Sequence, residues 1–165
     1  MKHTYEEGCV FCDIVSRKLA ASIVFDDEQT MAFVDLRQFH AGHTLVIPRR
    51  HFRDLREIDH STGAALMMTL SNVTRAVGAV FPNEGLSVWH SIGEAAFQEV
   101  PHLHIHIHPR FRDDGVLRVY PDSPVASNKA KRDEYAANLR SFLDGRERRP
   151  NQSLEPTTGR REVHI

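Results

Sequence analysis

The run His102-Leu103-His104-Ile105-His106-Ile107-His108 constrains this chain more than any other stretch of it. Strict two-residue alternation is the period of a β-strand, in which successive side chains point to opposite faces. Leu103, Ile105 and Ile107 therefore share an apolar face that can pack on a helix. His102, His104, His106 and His108 share the other, with neighbours about 6–7 Å apart. A half-buried strand needs polar residues outward, but Thr, Lys or Glu would serve as well as imidazole. Four histidines in seven residues point to chemistry.

The remaining pattern supplies partners for that strand. Ser22–Asp26, Thr30–Asp35, His43–Pro48 and Leu86–Ile92 read as further strands separated by turn-like polar stretches, with Leu36–Gly42 as a loop. Phe11–Lys18 is a candidate short helix. From Ser61, a plausible N-cap, apolar residues recur at three- and four-residue spacing: Ala64, Leu66, Met67, Leu70, Val73, Ala76, Val77, Val80. This is the longest helix, ending near Phe81-Pro82. A second helix is expected within 127–143. Short connections favour antiparallel pairing, so the class is α+β, with about five strands, one long helix and a C-terminal helix.

The 165 residues suit one domain, taken as 1–144 with its core motifs at 9–115. The polar, aperiodic segment 145–165 reads as a disordered tail, and Arg146–Arg149 as solvated charge. A net charge of −1 gives no global field for a nucleic-acid backbone. No apolar run approaches the ~20 residues of a membrane span, and the N-terminus lacks a signal-peptide stretch, so a cytoplasmic location is expected.

Spacing alone leaves two readings of the histidines open. Two imidazoles at i, i+2 can chelate zinc from one strand, and His102, His104 and His106 could ligate a catalytic metal. Alternatively one imidazole attacks while its neighbours orient it, bind charge and protonate a leaving group. Cys9-x-x-Cys12 is equally ambiguous alone: a redox pair, half a zinc site, or two buried small residues.

The wider string Gln98-Glu99-Val100-Pro101-His102-Leu103-His104-Ile105-His106-Ile107-His108-Pro109-Arg110 closely resembles the signature of the histidine triad (HIT) family. Phe33-Val34-Asp35 and Gly42–His51 resemble its nucleotide-binding strands, and the similarity runs from about Cys9 to Gly115. The resemblance implies a nucleotide hydrolase. His104 would attack the α-phosphorus of a dinucleoside polyphosphate or nucleoside phosphoramidate, giving a nucleotidyl-histidine that water resolves. His106, His102 and Gln98 would assist catalysis. Asp35 would accept from the ribose hydroxyls, and His43, Ser91, Gln98, His104 and His106 would complete the nucleotide site. It also implies a structural zinc on Cys9, Cys12, His51 and His102, and a homodimer joined through the long helices. The breadth of apolar positions on the long helix, including Met67, Met68, Val77 and Val80, agrees with a second partner. A nucleotidyl transferase and a non-catalytic nucleotide sensor are the alternatives.

Three positions depart from the family pattern. Ser91 stands where an amide side chain usually helps hold phosphate. Phe97 replaces a small residue before Gln98, and Glu99 replaces a small hydroxyl residue. A carboxylate at 99 would repel phosphate unless it points away or is protonated. His90 and His108 have no role in the pattern, and Trp89 reads as core or interface rather than a stacking platform.

Overall fold

The computed structural model describes residues 5–116 and 126–147. They fall into two compact units, 5–116 and 126–147. The first holds a short helix α1 (Val10–Val15), strands β1 (Ile23–Asp26), β2 (Thr30–Val34) and β3 (Thr44–Pro48), and the long helix α2 (His60–Val80). Strand β4 (Gly85–Trp89), a 3-10 turn (Glu94–Ala96) and strand β5 (Ile105–Arg110) follow. The second unit contributes α3 (Lys129–Glu147). The sheet is antiparallel throughout in the order β1-β2-β3-β5-β4. The α+β architecture expected from the sequence is the one observed.

Most boundaries move by a residue or two, and three differences have identifiable causes. Helix α2 is capped by Asp59 rather than Ser61: the Asp59 carboxylate accepts from the Thr62 backbone N–H and from both neighbouring hydroxyls. Strand β4 stops at Trp89, three residues short of Ile92, and the ladder of β5 begins at Ile105 rather than His102. Ahead of Ile105 the chain follows other bonds: the His102 N–H donates to Val100 O, and the Leu103 N–H to Phe52 O in the loop after β3. His102 thus lies on a bend before the strand. Helix α3 runs past Leu143 to Glu147; the rest of the expected tail, 148–165, lies outside the described residues.

Cross-strand pairing assigns the two faces. Leu103, Ile105 and Ile107 pack with Ala32 and Val46 against Leu66, Leu70, Val73 and Val77 of α2, as the alternation predicts. Val77 is therefore core, whereas Met67, Met68 and Val80 are exposed. The opposite face near β2 and β3 is also covered: Met31, Phe33, Leu45 and Ile47 pack under Phe11, Cys12, Ile14 and Val15 of α1. Leu45 pairs with His106, and His106 with Trp89, so all three side chains share that face. The imidazole row therefore continues an apolar layer. Gly42 admits β3 to this arrangement, because it adopts φ +99° and a Cβ there would meet the Phe81 ring at 2.5 Å. Among the described residues no helix is long and apolar enough to cross a membrane.

Candidate active site

His104 is buried, and its Nδ1 lies 2.6 Å from the His102 carbonyl oxygen. A carbonyl only accepts, so the proton is on Nδ1 and Nε2 carries the lone pair. Burial holds the ring's pKa below its ordinary value, which keeps it neutral. The ring meets Phe11 edge-on at 5.3 Å and His106 at 4.9 Å, so packing as well as hydrogen bonding sets its orientation. His90 Nδ1 donates in turn to the His104 carbonyl at 2.8 Å, tying the segment after β4 to the His104 backbone.

On one side of His104 stands the cysteine pair. Cys9 caps α1 and Cys12 lies within it, which turns both thiols toward His102. His102 is completely buried; its Nε2 donates to Pro48 O at 3.0 Å, leaving Nδ1 bare and facing the sulfurs. Its Nδ1 lies 3.4 Å from Cys9 Sγ and 3.6 Å from Cys12 Sγ, and His51 Nδ1 lies 3.4 Å from Cys12 Sγ. The four ligand atoms all fall within 4.8 Å of one another. Zn–S and Zn–N bonds of 2.3 and 2.0–2.1 Å in a tetrahedron put sulfur and nitrogen about 3.6 Å apart. The donor set fits such an ion. Burial raises the Cys12 thiol to about 11 and lowers His102 to about 4.

On the other side, Asp35, His43 and His106 form a chain. His43 Nδ1 faces the Arg37 carbonyl at 3.0 Å and the Asp35 carboxylate at 3.7 Å, while its Nε2 meets His106 Nδ1 at 2.9 Å. The Arg37 carbonyl only accepts, so His43 carries hydrogen on Nδ1, and in the last contact His106 Nδ1 donates to His43 Nε2. Trp89 stacks on His106 with centroids 4.5 Å apart and planes within 4°, and lies 5.9 Å from His43. Its role is thus to wall the proton pair. Burial and the neighbouring imidazoles lower His106 to about 3. His108 is buried against His43 and His40 rather than outside the site.

The departures cluster in the loop before β5. Phe97 takes the left-handed backbone (φ 62°, ψ 35°) that a smaller residue would adopt without strain, and its side chain is 88% exposed, so it does not close the pocket. The Gln98 amide accepts from Gly93 N–H and donates to Arg53 O, bracing the loop. The Ser91 hydroxyl has no hydrogen-bond partner among the described residues. Glu99 is held by Arg37 through two contacts, at 3.1 and 2.5 Å, which lowers the pKa of the carboxyl. A cavity of about 380 Å³ lies beside this loop, walled by Glu6, Glu7, Cys9, His51, Arg53 and Glu99 among others.

The HIT domain model matches residues 16–113, well over half of the chain. The chain belongs to the HIT family. It is 36% identical over 115 residues to Protein hit of Bacillus subtilis, covering 69% of this chain and 79% of that one. It is 30% identical over 125 residues to adenosine 5'-monophosphoramidase hnt1 of Schizosaccharomyces pombe, covering 75% and 91%. The crystal structure of SMU.412c from Streptococcus mutans superposes with a TM-score of 0.77 at 30% identity, over 84% of this chain and 87% of that one. The HIT fold, with its five-stranded antiparallel sheet, long helix and C-terminal helix, is thus shown.

Of the residues singled out in the sequence, the structure brings together His102, His104, His106, His43 and Asp35, and separately Cys9, Cys12, His51 and His102. Among the described residues, neither the Gln98 nor the Ser91 side chain hydrogen-bonds to a triad histidine. Sequence reasoning missed Arg37, and did not give Trp89 and His90 their contacts. Trp89 was recoverable in principle, because register places it directly opposite His106. Nothing in the sequence marks Arg37 as the partner of a residue 62 positions away.

Proposed function

We propose that this HIT protein hydrolyses a nucleoside phosphoramidate or phosphoanhydride at the α-phosphorus, through a nucleotidyl intermediate on His104 Nε2. The observation that carries the reading is the Nδ1–H contact of His104 with the His102 carbonyl, which leaves a neutral, oriented Nε2 lone pair without a separate base. In the first step that lone pair attacks phosphorus, and the bond to the leaving group breaks with its electron pair. Before this step the His106–His43 pair takes up one proton from solvent, and the leaving group takes it from His106 Nε2 as the His43 Nε2 proton returns to His106 Nδ1. In the second step water attacks phosphorus and the P–Nε2 bond breaks, its electron pair returning to His104. The water's proton passes to His106 Nε2 as the Nδ1 proton moves to His43 Nε2. The carboxylate of Asp35 stabilises the imidazolium so formed. Adenosine 5'-monophosphoramidase among the relatives supports the phosphoramidate class.

Cys9, Cys12, His51 and His102 would hold a zinc ion. Bound there it would keep both thiols as thiolates and tie α1 to the segment that orients His104, a structural rather than a catalytic task. The free cysteines suit a reducing compartment such as the cytoplasm. The exposed Met67, Met68 and Val80 of α2 support the homodimer expected from the family, which light scattering at micromolar concentration tests directly. The deciding experiment for the reaction is rapid alkaline quenching during turnover of adenosine phosphoramidate, followed by mass spectrometry. One adenylyl group on the peptide carrying His104 is expected. Steady turnover with no covalent adduct, or an adduct elsewhere, would remove the mechanism.

A further inference from the structure

Arg37 and Glu99 come from two loops that each feed the site. Arg37 follows Asp35 by two residues, donates its N–H to the Asp35 carboxylate, and offers its carbonyl to His43. Glu99 precedes His104 by five residues, in the segment that leads into β5. Both side chains are more than half exposed, so their ion pair adds little to the stability of the fold. What the two-contact geometry does is fix where the carboxylate stands.

We propose that Glu99, held in place by Arg37, selects against anionic leaving groups, so that the site favours phosphoramidates over dinucleoside polyphosphates. The inference rests on the hydrolytic reading above. The two contacts with Arg37 set the carboxylate beside a residue whose backbone bonds both Asp35 and His43, so its charge bears on a phosphorus bonded to His104 Nε2. As the P–O bond of an anhydride breaks, the departing phosphate gathers negative charge. As a P–N bond breaks, the departing nitrogen gathers a proton and leaves as neutral or cationic amine. The same negative charge therefore opposes the first departure and assists the second. The cavity beside Glu99 has the same bias, since Glu6, Glu7 and Glu99 line it with one guanidinium, Arg53. Arg37 offsets Glu99 in part. Without Glu99 it becomes a free guanidinium at the mouth of the site, ready for a phosphate.

Wild type, Glu99→Gln, Arg37→Gln and the double variant are to be compared as full chains by kcat/KM for adenosine phosphoramidate and for diadenosine tetraphosphate. The anhydride-to-amidate ratio should rise about tenfold in Glu99→Gln and fall in Arg37→Gln, a single charge at this range being worth about one order of magnitude. Raised salt should compress both shifts. If the pair merely ties two loops, both variants lose the same tie, and the ratio moves the same way in each or not at all; either result overturns the proposal. A second readout does not depend on turnover. In a His104→Ala background the relative affinity for ADP over AMP, measured by calorimetry, should rise with Glu99→Gln and fall with Arg37→Gln. A wild type that turns over neither substrate would overturn the hydrolytic reading, and the affinity ratio would still decide the role of Glu99.

Discussion

His102 and His106 stand two residues on either side of His104, and they have opposite fates. Both are held neutral by burial, at about 4 and about 3. His102 has both nitrogens committed, one to the Pro48 carbonyl and one to two sulfurs. His106 donates from one nitrogen to His43, and its Nε2 has no partner among the described residues. A carbonyl and a metal-like donor set fix a tautomer, whereas a second imidazole lets the proton move. In the proposed mechanism the same residue type therefore serves as framework on one side of His104 and as proton carrier on the other, and the difference lies in the partners.

The largest effect should come from the residue between them. His104→Ala should lower kcat/KM by at least three orders of magnitude while the melting transition stays close to wild type. Activity above about a tenth of wild type would mean a barrier change under ~1.4 kcal/mol, too small for loss of a nucleophile.

Next is the proton-carrying side. His43→Ala removes the acceptor of the His106 proton without touching His104, and a loss of about 10²-fold in kcat is expected, the usual scale for general acid–base assistance. The loss should be smaller for a substrate whose leaving group needs no proton, such as a nitrophenolate ester of AMP. An equal loss on both substrates would show that His43 only packs.

The framework side should behave differently. Cys9→Ser with Cys12→Ser should eliminate bound zinc and lower the melting temperature by more than about 5 °C, because the ion binds only the folded chain. Turnover per folded molecule should stay within about tenfold of wild type, since the His102 carbonyl still accepts from His104. Elemental analysis on protein purified without a metal-affinity step gives the stoichiometry. A cysteine variant as damaged in kcat as His43→Ala would erase the distinction between the two sides.

Much of this contrast is legible in the amino-acid sequence. Alternation alone puts Leu103, Ile105 and Ile107 on α2, because period two is a property of the extended chain. The motif places His43, Asp35 and the triad near one another, and places Cys9 and Cys12 with His51 and His102. What it does not show depends on backbone detours and long-range register. The bend at His102 follows from the Leu103 N–H bonding to Phe52 O, a contact with no local signal. Gln98 looks like a ligand in a motif and turns out to brace Gly93 and Arg53, because an amide serves either purpose equally well. The Glu99 carboxylate, repulsive by its charge alone, is held and partly offset by a guanidinium from a distant loop.

The smallest effect is on stability against pH, and it isolates His106. An unfolded histidine takes up a proton near pH 6.5, whereas folded His106 resists protonation down to about 3. Between those values the unfolded chain binds more protons than the folded one, so stability falls as pH is lowered through this window and is fully present above it. One such group contributes a slope of at most about 1.4 kcal/mol per pH unit, less where water reaches the ring edge. His104, His90 and His108 are shifted the same way by burial, and His106 is pushed further by the charge each would carry. His106→Asn removes one titrating ring and relieves its neighbours, so its stability should decline less steeply than wild type between pH 6.5 and 4. The slope, not the absolute stability, is the diagnostic, because loss of the Trp89 stack lowers stability equally at every pH. Urea unfolding at half-unit pH steps provides the two curves. Parallel curves would mean that His106 is protonated as readily folded as unfolded, and the neutral imidazole pair would have to be abandoned.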